Sequence, residues 1–204
     1  MKKTAEIVFG TKNKAKVDQL RGALDFSHVH IVGLDQFGDL PDVAENGATL
    51  MENAIKKATT YASAIGRQVL SMDNGLYFDG LPDSEQPGVH VRRINGVDRA
   101  TDDELLASYT GFINAHGGEM TGQFVYGVAL AQPDGRFIAT EINDRRLFVD
   151  RPCTEALEGY PLESLSIDPA TNRYVAEMTE LERADFWQRV IGEPIAEFIE
   201  QNVA

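Results

Sequence analysis

Ile7, Val8 and Phe9 form a short apolar run that the polar segment Gly10-Thr11-Lys12-Asn13 cuts off. This change of pattern predicts a strand over 4–10 and a helix over 13–25, with Asn13 as its N-cap. Val29 to Leu34 reads as a second strand, and the polar, Gly-containing stretch from Asp35 to Gly47 as a loop. Leu50, Ala54, Ala58, Tyr61, Ala62 and Ile65 then recur at helical spacing and predict a long helix to about Ile65. Gln68 to Met72 predicts a strand that ends at a turn, Asp73-Asn74-Gly75, while residues 81–100, with Pro82, Pro87, Gly88 and Gly96, read as irregular. A helix is expected from Thr101 to about Ala115, closed by Gly117-Gly118. Residues 119–131 and 136–149 alternate as paired strands around Pro133-Asp134-Gly135. Short strands near 165–167 and 173–177 should flank an Asp168-Pro169 turn, and Thr179 to Asn202 should be helical with an interruption near Gly192 and Pro194. Parallel βα units followed by a hairpin imply a mixed sheet in an α/β fold, and without repeats or linkers the chain reads as one domain, 1–204.

Charge changes this picture at one place. The 204 residues carry a net −13, yet residues 1–21 hold six Lys/Arg against two Asp/Glu, a net of +4. An acidic chain is a poor binder of nucleic acid or anionic membrane, and no apolar run reaches the length of a membrane span. A nucleotide, with its few charges, is not excluded. Cys153 is the only cysteine, so no disulfide framework or thiolate metal cluster is expected. A cytoplasmic enzyme or binding protein fits.

The basic segment surrounds a strand-to-helix turn, where free backbone N–H groups suit phosphate. The competing reading is an ordinary βα turn with solvated lysines. Asp73, at the end of an apolar strand, is placed to face a cleft or simply to form a turn. Glu45 lies in a loop. Glu52 follows Thr49 by three residues, a capping-box spacing that Thr101/Glu104 and Thr179/Glu182 repeat, and the Asp102-Asp103-Glu104 cluster reads as helix N-terminal charge. Lys56 and Lys57 form a pair on the long helix, of which one could turn inward. His28, His30, His90 and His116 form no ligand set, and Trp187 reads as packing with Phe186, Val190 and Ile191.

In order along the chain these pieces resemble the inosine triphosphate pyrophosphatases. Thr11-Lys12-Asn13-Lys14-Ala15-Lys16 is similar to that family's Thr-x-Asn-x-x-Lys. Glu45-Asn46-Gly47 and Glu52-Asn53-Ala54-Ile55-Lys56-Lys57-Ala58 are similar to its Glu-x-Gly and Glu-Asn-Ala-x-x-Lys-Ala. Met72-Asp73-Asn74-Gly75-Leu76 stands where the family has Asp-Asp-Ser-Gly-Leu, and Pro87-Gly88 with Arg93 where it has Pro-Gly and Ser-Ala-Arg. The resemblance implies an elongated, two-lobed α/β fold with a curved mixed sheet and a central cleft, usually a homodimer. It implies Mg²⁺-dependent cleavage of a nucleoside triphosphate to the monophosphate and pyrophosphate. Thr11, Asn13, Lys16, Asn74 and Gly75 would hold the substrate, Glu45 and Asp73 the Mg²⁺, with Asp73 and Lys57 catalytic.

The chain also departs from the pattern. Met72 replaces a carboxylate and Asn74 a serine. Gly159-Tyr160-Pro161 is the nearest remnant of a Gly-Phe-Gly-Tyr-Asp-Pro loop, and Ser-His-Arg falls on Trp187-Gln188-Arg189. Arg93 is a further substrate-binding candidate; the candidate base readers are Arg183, Gln188 and Arg189, with Tyr160 stacking, and the base preference is expected to differ from the family's or to be loose. Two further readings stand: a nucleotide-binding or regulatory relative that has lost turnover with Met72, and an enzyme acting on a pyrimidine triphosphate, a modified nucleotide or another phosphoanhydride.

Overall fold

The computed structural model describes residues 5–94 and 100–202. Among these residues one sheet runs in the order β2-β1-β3-β4-β5-β6-β7. Its strands are β1 (Ala5–Phe9), β2 (Val29–Gly33), β3 (Val69–Phe78), β4 (Glu119–Ala131), β5 (Phe137–Val149), β6 (Ser166–Asp168) and β7 (Arg173–Tyr174). β1 pairs in parallel with β2 and β3, whereas β5–β6 and β6–β7 are antiparallel, so the sheet is mixed as expected. The helices are α1 (Lys14–Ala23), α2 (Leu50–Ile65), α3 (Asp102–Ala115), α4 (Glu180–Trp187) and α5 (Glu193–Asn202).

By packing, the chain forms two compact units, one of Met1–Asn74, Tyr126–Ile142 and Ala184–Ala204, the other of Gly75–Val125 and Asn143–Arg183. In the first, β1 is central, with Ile7 and Val8 wholly buried. α1 carries the chain from β1 to β2, and α2 carries it on to β3. The predicted stripe of α2 faces inward: Ala54, Ala58 and Ala62 have no exposed surface, and Tyr61 lies beside them against Val8, Val32 and Val69. Alanines at this i, i+4 spacing allow the helix to approach closely, and Gly127 of β4 extends the same contact, since a Cβ there would stand 3.0 Å from the Leu50 and Met51 backbone. Each fully buried aliphatic side chain such as Val8 contributes about 1.5–3 kcal/mol.

β3 departs from expectation. It does not turn at Asp73-Asn74-Gly75 but continues to Phe78. Leu76 exchanges backbone hydrogen bonds with Gly88, and the Gln86 side chain both donates to and accepts from the Phe78 backbone. Asp79 N–H then reaches Thr121 O, 2.9 Å away. Partners 8–42 residues away thus outweigh a local turn signal.

In the second unit, the Thr101/Glu104 capping box opens α3 as predicted, and Phe78, Phe112, Phe148 and Phe124 form an aromatic chain. The strand expected over 173–177 keeps only two residues, since 175–177 close into a 3₁₀ turn. The Thr179/Glu182 box precedes α4, and a π-helical turn at Gln188–Gly192 joins α4 to α5 without a break. Gly192 is obligatory there, because a Cβ would stand 1.9 Å from the Ala23 carbonyl oxygen. Phe186 is buried in this segment, and Trp187 sits half-buried against its edge.

Candidate active site

The turn after β1 is pinned at both ends. Gly10 N–H donates to Leu70 O and Thr11 N–H to Phe9 O. Asn13 caps α1 as predicted: its Oδ1 accepts from Ala15 N–H, while Asn13 N–H donates to Thr11 Oγ1. Asn13 therefore commits its side-chain oxygen to the helix. Lys16, one turn into α1, is half-buried and donates to Asn74 Oδ1 at 3.0 Å. Lys12 pairs with Asp42. Gly10, Thr11, Lys12, Asp42, Val43, Ala44, Glu45, Lys57 and Tyr61 line a cavity of about 420 Å³.

The two lysines of α2 divide their work. Lys56 donates to Ala44 O and Asn46 Oδ1, holding the loop that carries Glu45. Lys57 turns inward, with its side chain only 9% exposed. Its Nζ lies 2.7 Å from Glu45 Oε1, 2.9 Å from Met72 O and 3.3 Å from Asp73 Oδ1. One ammonium thus draws together the two acidic residues singled out in the sequence. At residue 72, where a carboxylate is missing, it meets a backbone carbonyl. Burial pushes the Glu45 carboxyl up, but the Lys57 hydrogen bond and charge, with help from Lys16, outweigh it and hold the group below its ordinary range. Asp73 is nearly enclosed, and its Oδ2 accepts from Asn53 Nδ2 at 2.9 Å.

Gly75 is buried within β3, and Arg93 is exposed beside His90, whose carbonyl accepts its backbone N–H. Tyr160 is half-buried next to a 3₁₀ turn, and its phenol is pushed up by burial and by the Glu163 charge. Arg183 donates to Met178 O, Gln188 to Glu193 Oε1, and the Arg189 guanidinium stacks over Phe186 at 5.5 Å.

Sequence reasoning missed three residues. In the sequence Asn53 stands out only as part of a motif, and Lys56 only as one of a lysine pair. Arg92, not Arg93, ties Asp102 to the Gly159 carbonyl, and Asp102 also accepts from Gly159 N–H. Asp102 is therefore more than helix N-terminal charge, but its partner lies 57 positions away and no local signal marks the pair. Glu52 does cap α2, although its carboxylate takes the Ala48 N–H rather than that of Thr49.

A mixed α/β sheet thus places an ammonium and two carboxylates beside a basic strand-to-helix turn. Residues 7–190 match the family model described as the Ham1 family, and the chain belongs to that family, as its resemblance to the inosine triphosphate pyrophosphatases implies. It is 39% identical to a dITP/XTP pyrophosphatase of Streptomyces avermitilis over 134 residues, which cover 63% of this chain and 64% of that protein. A dITP/XTP pyrophosphatase of Nitratidesulfovibrio vulgaris is 30% identical over 188 residues, covering 88% of this chain and 87% of that one. The fold matches the structure of a HAM1 protein from Coxiella burnetii with a TM-score of 0.77 at 23% identity, over 97% of this chain and 99% of that one. The Staphylococcus aureus Ham1 protein matches with a TM-score of 0.74 at 21% identity, over 96% and 98%.

Proposed function

We propose that this protein is a nucleoside triphosphate pyrophosphohydrolase that cleaves non-canonical purine nucleotides, such as those of inosine and xanthine, to the monophosphate and pyrophosphate. The observation that carries this reading is the Lys57 ammonium held between Glu45 and Asp73, with Glu45 and Lys57 in the wall of a cavity that begins at the α1 turn. The names of the relatives from Streptomyces and Nitratidesulfovibrio support the substrate class.

In this reading Thr11, Asn13, Lys16, Asn74 and Gly75 hold the triphosphate, using the α1 N-terminus and the Lys16 charge. Lys57 stabilises negative charge that builds up on the phosphate oxygens as the bond breaks. Asp73 takes the proton of the attacking water, its carboxylate held by Asn53 at Oδ2 and facing Lys57 Nζ at Oδ1. Tyr160, Arg183, Gln188 and Arg189 are the candidates for reading the base, and Arg93 is a further substrate-binding candidate.

Glu45 and Asp73 also suit Mg²⁺. Their oxygens converge on one cationic group, Lys57 Nζ, so the pair is separated by no more than its two contacts to that nitrogen. No cluster of three or more His, Cys, Asp or Glu stands at the site among the described residues. Two hard carboxylates with the remaining positions left to water and phosphate match the habit of this ion. Bound there, Mg²⁺ would neutralise phosphate charge. From the resemblance we further propose a homodimer working in the cytoplasm without nucleic acid or membrane partners. Among the described residues no helix is long and apolar enough to cross a membrane.

Met72 favours one second reading, a nucleotide-binding or regulatory relative without turnover. Pyrophosphate release, measured with Mg²⁺ over canonical and deaminated triphosphates for wild type and Asp73→Asn, separates the two. We expect release from dITP and XTP, abolished by EDTA and reduced about 10²-fold or more in Asp73→Asn, the scale of losing a group that acts in the transition state. Tight nucleotide binding with no release from any triphosphate establishes the second reading. Release that Asp73→Asn leaves unchanged removes Asp73 from its role.

A further inference from the structure

Asn53 is neither an acid nor a cation, yet it is 4% exposed and both ends of its amide are committed at the site. Nδ2 donates to Asp73 Oδ2 at 2.9 Å, and Oδ1 accepts from Gly47 N–H at 2.8 Å. The two contacts fix the orientation of the amide, because an N–H can only donate and a carboxylate can only accept. Gly47 is shaped for this contact: a Cβ there would stand 2.7 Å from Asn53 Oδ1 and 2.8 Å from Glu52 Cβ. Any other residue would push the loop away from the helix. Gly47 lies two positions after Glu45, and Asn53 lies one turn before Lys57 on the same face of α2.

Asn53 therefore clamps three elements at once: the loop that carries Glu45, the helix that carries Lys57, and the strand that carries Asp73. By engaging Oδ2 it sets the rotation of the Asp73 carboxylate, so that Oδ1 points to Lys57 Nζ and toward Glu45. We propose that Asn53 is a positioning residue that holds the Glu45 and Asp73 carboxylates in the mutual geometry needed for a divalent cation and for turnover, with Gly47 as the other half of the clamp. The inference rests on the reading of Glu45 and Asp73 given above. Groups that orient metal-binding side chains typically account for about 10–100-fold in affinity or rate.

Mn²⁺ alone, titrated into the protein and followed by water proton relaxation, tests the clamp without turnover, and dITP hydrolysis tests it with turnover. Asn53→Ala deletes the amide. Asn53→Leu deletes its hydrogen bonds while nearly keeping its volume. Gly47→Ala breaks the clamp from outside the helix. With thermal melts near that of wild type, each variant should weaken Mn²⁺ binding and lower kcat by about 10–100-fold while KM for dITP stays within about 2-fold, the signature of lost transition-state geometry. The double variant Asn53→Ala/Gly47→Ala should be no worse than Asn53→Ala alone, because Asn53→Ala already removes the Gly47 contact together with the one to Asp73. Wild-type Mn²⁺ affinity and kcat in a folded Asn53→Leu overturn the proposal, as does a rise in KM with kcat intact. A wild-type protein that binds Mn²⁺ but releases no pyrophosphate refutes the hydrolase reading and leaves the Mn²⁺ arm to judge Asn53. A wild-type protein that binds no Mn²⁺ refutes the carboxylate pair as a cation site and this inference with it.

Discussion

Lys57 donates from one nitrogen to two carboxylates and a carbonyl, and deleting that nitrogen leaves all three facing one another. Lys57→Met keeps the apolar stem along α2 and removes only the charge. Asp73 is nearly enclosed, so the loss is felt there; Glu45 is about half exposed, and water compensates it in part. The expected cost is about 1–3 kcal/mol of stability, as for an uncompensated buried polar group, read from urea denaturation. Pyrophosphate release at saturating dITP should fall about 10²–10³-fold, because in the proposed reaction the same charge would stabilise the reacting phosphate. Glu45, Lys57 and Asp73 were legible in the sequence, through motif order and helical spacing. Asn53 and Arg92 were not. Their roles depend on which loop folds back upon them, and an amide or a guanidinium has no local pattern that names its partner.

At the level of elements, the apolar spacing of α2 and the strand-to-helix switch at Gly10 survive into the structure because burial and capping agree there. The turn expected at Asp73 fails where distant backbone partners compete with it. A larger gap between pattern and structure lies on β5. Arg146 alternates into the interior and is wholly buried, with Nε and Nη2 donating to Asp144, Nη1 donating to Glu163 and Ser166, and the Phe124 ring 4.7 Å away. Strand alternation fixes which residues face inward but cannot show that a guanidinium will be one of them. Burial pushes the Glu163 carboxyl up, ahead of the opposing Arg146 charge, with Asp144 adding to the rise. The folded protein then holds a proton that the unfolded chain has lost, so stability should fall as pH rises from the ordinary carboxylate value to the raised one. Glu163→Gln, neutral at every pH, should flatten this part of the curve. Melting temperature measured from acid to neutral pH for both proteins checks it, and a decline that persists unchanged in the variant assigns the slope to another group.

Across the whole molecule, the residues proposed for the two ends of the substrate differ in how the chain treats them. Lys16 and Lys57 lie in one compact unit, where their ammonium groups meet Asn74 and Glu45. Tyr160 and Arg183 belong to the other unit, and Gln188 and Arg189 to the first. The last three candidates already engage Met178 O, Glu193 and the Phe186 ring. A group held by its own fold is pre-oriented for a ligand, yet it can reward one base over another only if that base satisfies it better. Phosphate contacts are common to every nucleotide and cannot discriminate. Lys16→Ala should therefore lower kcat/KM for dITP, XTP and dGTP by one shared factor, whereas Arg183→Ala, Gln188→Ala or Arg189→Ala should change the ratios among them. For a side chain that reads a base by hydrogen bonds, the ratio should move by about 10-fold or more, since an unmatched buried polar group costs about 1–3 kcal/mol. Competition assays with paired nucleotides measure these ratios directly, free of enzyme concentration. If Lys16→Ala shifts the ratios and all three reader variants leave them fixed, the assignment of the two ends is reversed.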